Sequence, residues 1–246
     1  MVNNKKISNI KIFKNIYIWA IVLAGTLSFA ACSDDDDQPS VSPVSTGTVS
    51  DKDGNEYKWV RIGKLDWMTE NLRCDNPFYD DVYNPKWTND YGDGLSLTGT
   101  LEDWQKWYAE FGNYYTWEEA VANAPDGWRL PTDDDFKTLE RELGIKQDDL
   151  DKEGWRKGAS NLMMQNGEEN CLHFVFGGEI CNYSYSLIGL YHQYDYGYYW
   201  TSTDIEINGE PASYARMITP GKNAVNRLKI LHEQHFLSVR YVRDAQ

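Results

Sequence analysis

The chain has 246 residues, of which 14% are aromatic, and it carries a formal net charge of −14 at pH 7. This length suits one domain or two. Nucleic acid and anionic lipid are excluded as partners, because a strongly acidic protein repels polyanions.

The first 31 residues are predicted to be a targeting segment. Four lysines precede an apolar run from Ile16 to Ala31, which ends in small residues just before Cys32. The run is too short to span a membrane and acidic residues follow it, which is typical of a secretory signal peptide. The stretch "LSFAAC" is similar to a lipobox, in which Cys32 becomes the lipidated first residue. Ordinary cleavage after an A-x-A-like site is the alternative.

An acidic run and a polar spacer follow Cys32. Asp34 to Asp37 resemble the export tag of surface lipoproteins in some Gram-negative bacteria; the alternative is a solvated spacer only. We expect an outer-membrane, lipid-anchored protein displayed at the cell surface, with the periplasmic leaflet as the alternative. Residues 32–47 are predicted to be a disordered tether, and residues 48–246 one domain. Removing the signal peptide takes away four lysines and no acidic residue, so the net charge falls to −18.

The first elements of the domain are a strand and a short helix. Glu56–Gly63 alternates β-favouring residues and predicts a strand, and the turn-forming residues 50–54 precede it. Thr116, followed three residues later by Glu119, predicts a capping box at the start of a helix. That helix is expected to end before Pro125.

A second helix explains the acidic run Asp133–Asp135. Thr132 is its predicted N-cap, and carboxylates in a first turn interact favourably with the free backbone N–H groups. Gly144 is the predicted stop. One apolar face at helical spacing comprises Phe136, Leu139 and Leu143. The three aspartates are therefore predicted to be structural rather than catalytic.

The C-terminal third is predicted to be β-structure, which with the two helices makes an α+β domain. Short turn sequences separate most of its strands. The predicted strands are Leu172–Phe176, Gly197–Thr203, Ser213–Ile218, Ala224–Ile230 and Phe236–Val242.

Four motifs resemble a known family. They are spread over nearly all of the chain from Thr48 to Asp244, and they occur in the order "DKDGNEYKWVRIGKLDWMTENLR", "YYTWEEAVANAPDGWRLPTDDDFKTL", "YYWTST" and "FLSVRYVRD". Together they are similar to the Fibrobacter succinogenes major paralogous (FISUMP) domain of exported bacterial lipoproteins, a family without an established activity.

A second resemblance concerns the fold. "GWRLPTDDDF" resembles an element of formylglycine-generating-enzyme-like domains, and "SVRYVRD" resembles their closing strand. The resemblance implies a C-type-lectin-like α+β fold, with two short helices packed on a small twisted antiparallel sheet and with paired N- and C-terminal strands.

Two positions depart from the family pattern. Many members carry Cys where this chain has Ala124 and Tyr241. Loss of both fits a family bridge between these positions, worth about 2–5 kcal/mol. We expect packing, including the Tyr241 ring, to offset it.

No motif for a metal, a cofactor or catalysis is complete. "HEQH", His232–His235, has i, i+3 spacing at a turn, so we expect a pair of polar histidines rather than a zincin helix. "GEPA", Gly209–Ala212, lacks the coordinating third position of calcium-dependent lectins. Cys171 and Cys181 do not match the active-site cysteines of formylglycine-generating enzymes, so copper-dependent oxidation is not expected. Whether these two form a bridge is left open.

Aromatic residues outside the family motifs are the candidate ligand contacts. Residues 76–113 and 182–199 are rich in Trp and Tyr, which provide large, stiff and amphipathic contact surfaces. Hydrophobic packing beneath long loops is the alternative. The candidates are Trp87, Trp104, Trp107, Tyr108, Tyr191, Tyr194 and Tyr196.

The sequence thus favours a lipid-anchored binding module, without catalytic residues, metal or cofactor, that presents these segments to a glycan or a protein. One alternative is an exported hydrolase that uses carboxylates in a cleft. The other is an accessory subunit of a surface fibre or assembly.

Overall fold

The computed structural model describes residues 45–75, 78–79, 82–83, 101–164, 172–182 and 188–246. The predicted signal peptide, Cys32 and most of the predicted tether lie outside these ranges. The helices described are α1 (Leu101–Phe111), α2 (Trp117–Ala122), α3 (Asp133–Glu142) and α4 (Ser160–Met164). The strands described are β1 (Thr46–Ser50), β2 (Glu56–Ile62), β3 (Leu65–Met68), β4 (Phe78–Tyr79), β5 (Val82–Tyr83), β6 (Gly154–Lys157), β7 (Glu179–Asn182), β8 (Ile188–Tyr191), β9 (Gly197–Ile207), β10 (Glu210–Ile218), β11 (Ala224–Leu231), β12 (His235–Phe236) and β13 (Val242–Asp244).

These strands form separate antiparallel sheets rather than one. The first sheet has the order β1-β2-β3-β13, and the second has the order β6-β11-β10-β9. A three-stranded sheet, β12-β7-β8, and the small hairpin β4-β5 complete the set described. The described part of the chain is therefore α+β, as predicted. It is mostly strand, and its sheet structure is more divided than expected.

The C-terminal strand β13 returns to the N-terminal sheet. Val242 lies opposite Trp67 of β3, and the guanidinium of Arg243 donates to the buried carboxylate of Asp66 at 2.8 Å. The terminal regions are thus paired, but the partner of β13 is the third strand of the chain and not the first.

Both predicted helix starts are confirmed. The hydroxyl of Thr116 accepts from the N–H of Glu119 at 3.2 Å, while the Glu119 carboxylate accepts from the N–H of Thr116 at 3.0 Å. Thr132 and Asp135 exchange the same two bonds at the start of α3. Each capping box satisfies backbone donors that the helix itself leaves free.

The apolar face of α3 packs where the sequence predicts. Phe136 meets Trp67 edge-on, with ring centroids 5.1 Å apart, and Leu139 and Leu143 belong to the same buried cluster. Burying each such side chain contributes about 1.5–3 kcal/mol. The helix is therefore attached to the first sheet mainly by hydrophobic burial.

The predicted strand Leu172–Phe176 is wrong. In this segment side chains, rather than a neighbouring strand, satisfy the backbone hydrogen bonds. The Tyr199 hydroxyl accepts from the N–H of Val175 at 2.8 Å and donates to the carbonyl of Val175 at 2.7 Å. The buried guanidinium of Arg240 donates to the carbonyl of Leu172 at 2.7 Å. The β-favouring composition of Leu172–Phe176 does not reveal that distant side chains satisfy the backbone groups of this segment.

The prediction of two helices was incomplete, because α1 and α4 also form. Aromatic residues of α1 recur at helical spacing, although their density alone favours a loop surface. In the residues that the structure describes, no helix has the length and apolar character needed to cross a membrane.

Tyr241 packs in the core, as expected if its ring offsets the missing bridge between positions 124 and 241. Its side chain is fully buried, in a cluster that also contains Trp200, Leu237 and the partly buried Ala124.

Candidate functional site

The first aspartate of the acidic run of α3 belongs to the core. Asp133 is buried and accepts two bonds from Arg227, at 2.9 and 2.8 Å, and pairs with Arg216 at 2.8 Å. Burial alone would raise the pKa of this carboxyl, but the hydrogen bonds from Arg227 and the charge of Arg216 hold its pKa well below the usual range.

The same network extends to a second buried acid. Glu140 accepts two bonds from Arg156, at 2.7 and 2.8 Å, and one from Arg216 at 2.6 Å. Arg216 therefore joins Asp133 to Glu140 and fastens α3 to the second sheet. Charges so thoroughly paired and buried are structural, as predicted, and are not available to a substrate.

The predicted aromatic candidates separate into groups. Trp87 lies outside the described residues, and Trp104 lies in α1 with a side chain that the structure does not describe. Tyr108 is only 8% exposed, and its hydroxyl donates to the carbonyl of Arg73. We therefore place Tyr108 in the core rather than on a ligand surface.

The remaining four candidates lie on or beside one loop. We call residues 191–196 the aromatic loop; it begins at the last residue of β8 and contains Tyr191, Tyr194 and Tyr196. Trp107 reaches it from α1: its ring lies 5.7 Å from that of Phe111, which meets Tyr194 edge-on at 5.4 Å. The structure thus brings together residues from both aromatic segments.

Tyr194 is the exposed ring of this group. It is 64% exposed, and Val121 at 44% is the other large hydrophobic side chain exposed in the described part of the chain. Trp107, Tyr191 and Tyr196 are half-buried. An exposed aromatic ring supported by rings beneath it provides a stiff contact surface.

The backbone of the aromatic loop has an unusual conformation. His192 and Tyr194 have φ angles of 61° and 67°, in the left-handed region that bulky residues rarely adopt. The loop is held by bonds from the N–H of Tyr194 to the carbonyl of Phe176 at 2.8 Å and from that of Tyr196 to the carbonyl of His192 at 2.9 Å. Each such residue costs about 1–3 kcal/mol, and such strain clusters at functional sites.

Two glycines permit the close approach that positions the loop. A Cβ at Gly178 would lie 2.2 Å from the carbonyl oxygen of Tyr191, and one at Gly197 would lie 2.1 Å from that of Val175. The two glycines also pair with each other through a parallel bridge. The loop is therefore fixed at both ends by backbone contacts that a side chain would block.

A separate cavity of about 550 Å³ contains carboxylates. Its lining includes Glu118, Glu210, Glu233 and His232. The His232 ring stacks on Trp117, with centroids 4.3 Å apart. Burial lowers the pKa of this imidazole. The "HEQH" motif supplies Glu233 to this cavity, but its spacing does not reveal the cavity, because Glu118 and Glu210 come from distant parts of the chain.

A serine lies against the imidazole of this cavity, but it is inaccessible. Ser213 Oγ is 2.6 Å from His232 Nε2, a distance suited to nucleophile activation. The serine is nevertheless fully buried on β10. A substrate in the cavity therefore cannot reach it in this structure.

Among the residues that the structure describes, two groups of side chains could hold a metal ion. One comprises Glu179, Cys181 and His235, and the other comprises Asp53, Cys74 and Asp75. In each group the potential ligand atoms lie within 4.8 Å of one another. Cys171, the possible bridge partner of Cys181, lies outside the described residues.

Comparison with known proteins identifies the family but no activity. No curated protein and no solved structure matches the chain. The family model of the Fibrobacter succinogenes major domain matches residues 60–243. The match includes α1, the aromatic loop and β3, together with parts of β2 and β13, whereas β1 lies outside it. The chain therefore belongs to the Fibrobacter succinogenes major domain family.

Proposed function

We propose that this protein is a lipid-anchored cell-surface binding module, without catalytic activity, that binds a glycan at the aromatic loop. The observation that carries the proposal is Tyr194, a largely exposed ring held in a left-handed backbone conformation. Because the surrounding structure maintains the strained backbone conformation of Tyr194, the ring of Tyr194 is held in a defined position. The lipobox-like sequence at Cys32 supports the anchor.

A glycan fits the surroundings of the ring better than a protein partner does. The exposed side chains of His192 and Asp195 flank Tyr194 and offer hydrogen-bonding groups. A sugar ring presents an apolar face with hydroxyls around its edge, which matches one exposed aromatic ring with polar neighbours. A protein interface would call for a broader buried core than this single exposed ring provides.

Binding to a glycan array tests the proposal. The full chain is purified in detergent and compared with Tyr194→Ala and with the matched control Val121→Ala, which removes the other exposed hydrophobic side chain. Loss of a central aromatic contact costs about 1–2 kcal/mol, so we expect Tyr194→Ala to weaken binding roughly 5- to 30-fold. Val121→Ala should bind like the native protein.

Two results would contradict this proposal. Equal glycan binding by the Tyr194→Ala variant and the native protein would exclude the aromatic loop. Absence of glycan binding, with capture of a protein that depends on Tyr194, would show that the ligand is a protein.

The carboxylate cavity supports a second candidate function, hydrolysis. Paired carboxylates in a cleft are the groups that general acid and base catalysis requires. A screen of polysaccharide and peptide substrates should then show turnover that Glu118→Gln or Glu233→Gln abolishes. Turnover that persists in both variants, or that depends on Tyr194, would exclude this cavity.

A further inference from the structure

One face of the three-stranded sheet carries three metal-ligand side chains. Glu179 and Cys181 are two residues apart on β7, so their side chains point to the same face. His235 of β12 lies directly opposite Cys181. His235 Nδ1 is 2.8 Å from Glu179 Oε2, and the three ligand atoms lie within 4.8 Å of one another.

The three side chains are largely buried, so few other ligands could reach an ion held between them. Glu179 and Cys181 are buried and His235 is half-buried. The partner of Cys181 on the other neighbouring strand is Gly189, which has no side chain. The buried Glu179 carboxylate already contacts the His235 imidazole at 2.8 Å, and a divalent cation would neutralise its charge more fully than a neutral imidazole does.

We propose that Glu179, Cys181 and His235 bind one zinc ion. A thiolate, an imidazole and a carboxylate together suit this borderline-soft divalent ion better than calcium or magnesium, which prefer oxygen ligands alone. On binding, the Cys181 thiol releases its proton to solvent. The His235 imidazole coordinates through Nδ1 in its neutral form, so it gives up its hydrogen bond to Glu179 and its remaining proton lies on Nε2. Three protein ligands leave a tetrahedral ion one position for water.

The second group of potential ligands is less suitable. Asp75 Oδ1 is already paired with the ammonium of Lys52 at 2.7 Å, and Asp53 Oδ2 accepts from the N–H of Asp75 at 2.7 Å. Burial, followed by the charges of these aspartates, raises the pKa of the Cys74 thiol to about 12. A cation would therefore have to displace a lysine and ionise a reluctant thiol.

Zinc at Glu179 would also stabilise the surroundings of the aromatic loop. Glu179 lies opposite Tyr191, the first residue of that loop, and His235 belongs to the strand on the other side. One ion would therefore cross-link β12 to β7 next to the loop. The zinc site does not depend on the proposed glycan binding, since it rests on different side chains.

Cobalt and zinc titrations test the site. The full chain is purified in detergent, stripped with a chelator and titrated with Co²⁺, whose thiolate complexes have a charge-transfer absorption that oxygen ligands do not produce. We expect this absorption, displaced by Zn²⁺ at about one ion per chain. Cys181→Ser should abolish the absorption, and His235→Gln should weaken metal affinity at least about tenfold.

Matched variants and a folding control keep the result decisive. Cys74→Ser and His232→Gln change the other described cysteine and the neighbouring histidine, and both should retain the absorption. Circular dichroism establishes that each variant is folded, and Zn²⁺ should raise the Tm of the native chain by several degrees but not that of Cys181→Ser. No thiolate absorption in the native chain, or its loss in Cys74→Ser alone, would overturn the proposal.

Discussion

The hydroxyl of Tyr241 donates to the carbonyl of Ala120 at 2.7 Å, which joins the C-terminal segment to α2 across 121 positions of the sequence. Ala120 lies in α2, four residues before Ala124, which follows the end of that helix, and the family resemblance implies a bridge between positions 124 and 241. In this chain a buried ring and a hydrogen bond therefore tie together the elements that a covalent bond would join.

Tyr241→Phe should destabilise the protein by about 1–3 kcal/mol, because the variant leaves the buried carbonyl of Ala120 without its donor. The measurement is the free energy of unfolding in urea. Tyr108→Phe is a useful comparison, since it also removes the hydroxyl of a buried tyrosine that donates to a backbone carbonyl. An unchanged stability of Tyr241→Phe would show that the hydrogen bond contributes nothing beyond ring packing.

Asp133→Asn should cost about 3–5 kcal/mol, because it removes the carboxylate that neutralises two buried guanidinium groups. Asp134→Asn is the matched control: its side chain is 87% exposed, and we expect a change of less than about 0.5 kcal/mol. Unfolding in urea measures both. Similar losses in the two variants would contradict the assignment of Asp133 to the core network.

Acid should weaken the protein through the same carboxylate. The pKa of Asp133 is lowered in the folded state, so its contribution to stability is fully present above about pH 5 and is lost as the pH falls below the unfolded value of about 3.9 toward the folded pKa. The free energy of unfolding of the native chain should therefore fall over this range. In Asp133→Asn the fall should be smaller, because that carboxyl no longer titrates.

Gly178→Ala should displace the aromatic loop. Its φ angle of 74° strains any other residue, and the added Cβ would also meet the Tyr191 carbonyl. Gly209→Ala is the control, with a φ of 87° and nothing within 4 Å. We expect a cost of about 1–2 kcal/mol for Gly209→Ala and about 1–3 kcal/mol more for Gly178→Ala. Equal thermal stabilities would contradict the close approach.

Cys32→Ser should prevent lipidation. Metabolic labelling with a palmitate analogue should mark the native protein and not the variant, and the variant should leave the membrane fraction. Changing Asp34–Asp37 to Asn should retain the lipid but reduce cleavage by protease added to intact cells. Labelling that survives Cys32→Ser would favour ordinary signal cleavage instead.

Local signals in the sequence predicted the helices that have caps. Thr116 and Thr132 each initiate a helix because the groups involved are at most three residues apart, and such pairs are visible in the sequence. The prediction of a strand at Leu172–Phe176 is wrong for the opposite reason: Tyr199 and Arg240, which are distant in the sequence, form the hydrogen bonds to its backbone groups.

The candidate sites were predictable only in part. Aromatic density indicated Trp107 and Tyr194 separately, but their meeting through Phe111 depends on the fold. The group of Glu179, Cys181 and His235 was not predicted, because its spacing is set by the pairing of β7 with β12 and not by sequence separation. A search for contiguous metal motifs cannot find ligands arranged across a sheet.

The pairing of β13 with β3 also has a consequence for biogenesis. The ion pair between Arg243 and Asp66 joins residues 177 positions apart, so the first sheet is completed only when nearly the entire chain is available. Sheets closed by such distant partners fold slowly. The export proposed for this chain would benefit from this delay, because during passage through a secretion channel the N-terminal half would lack the strand that closes its sheet.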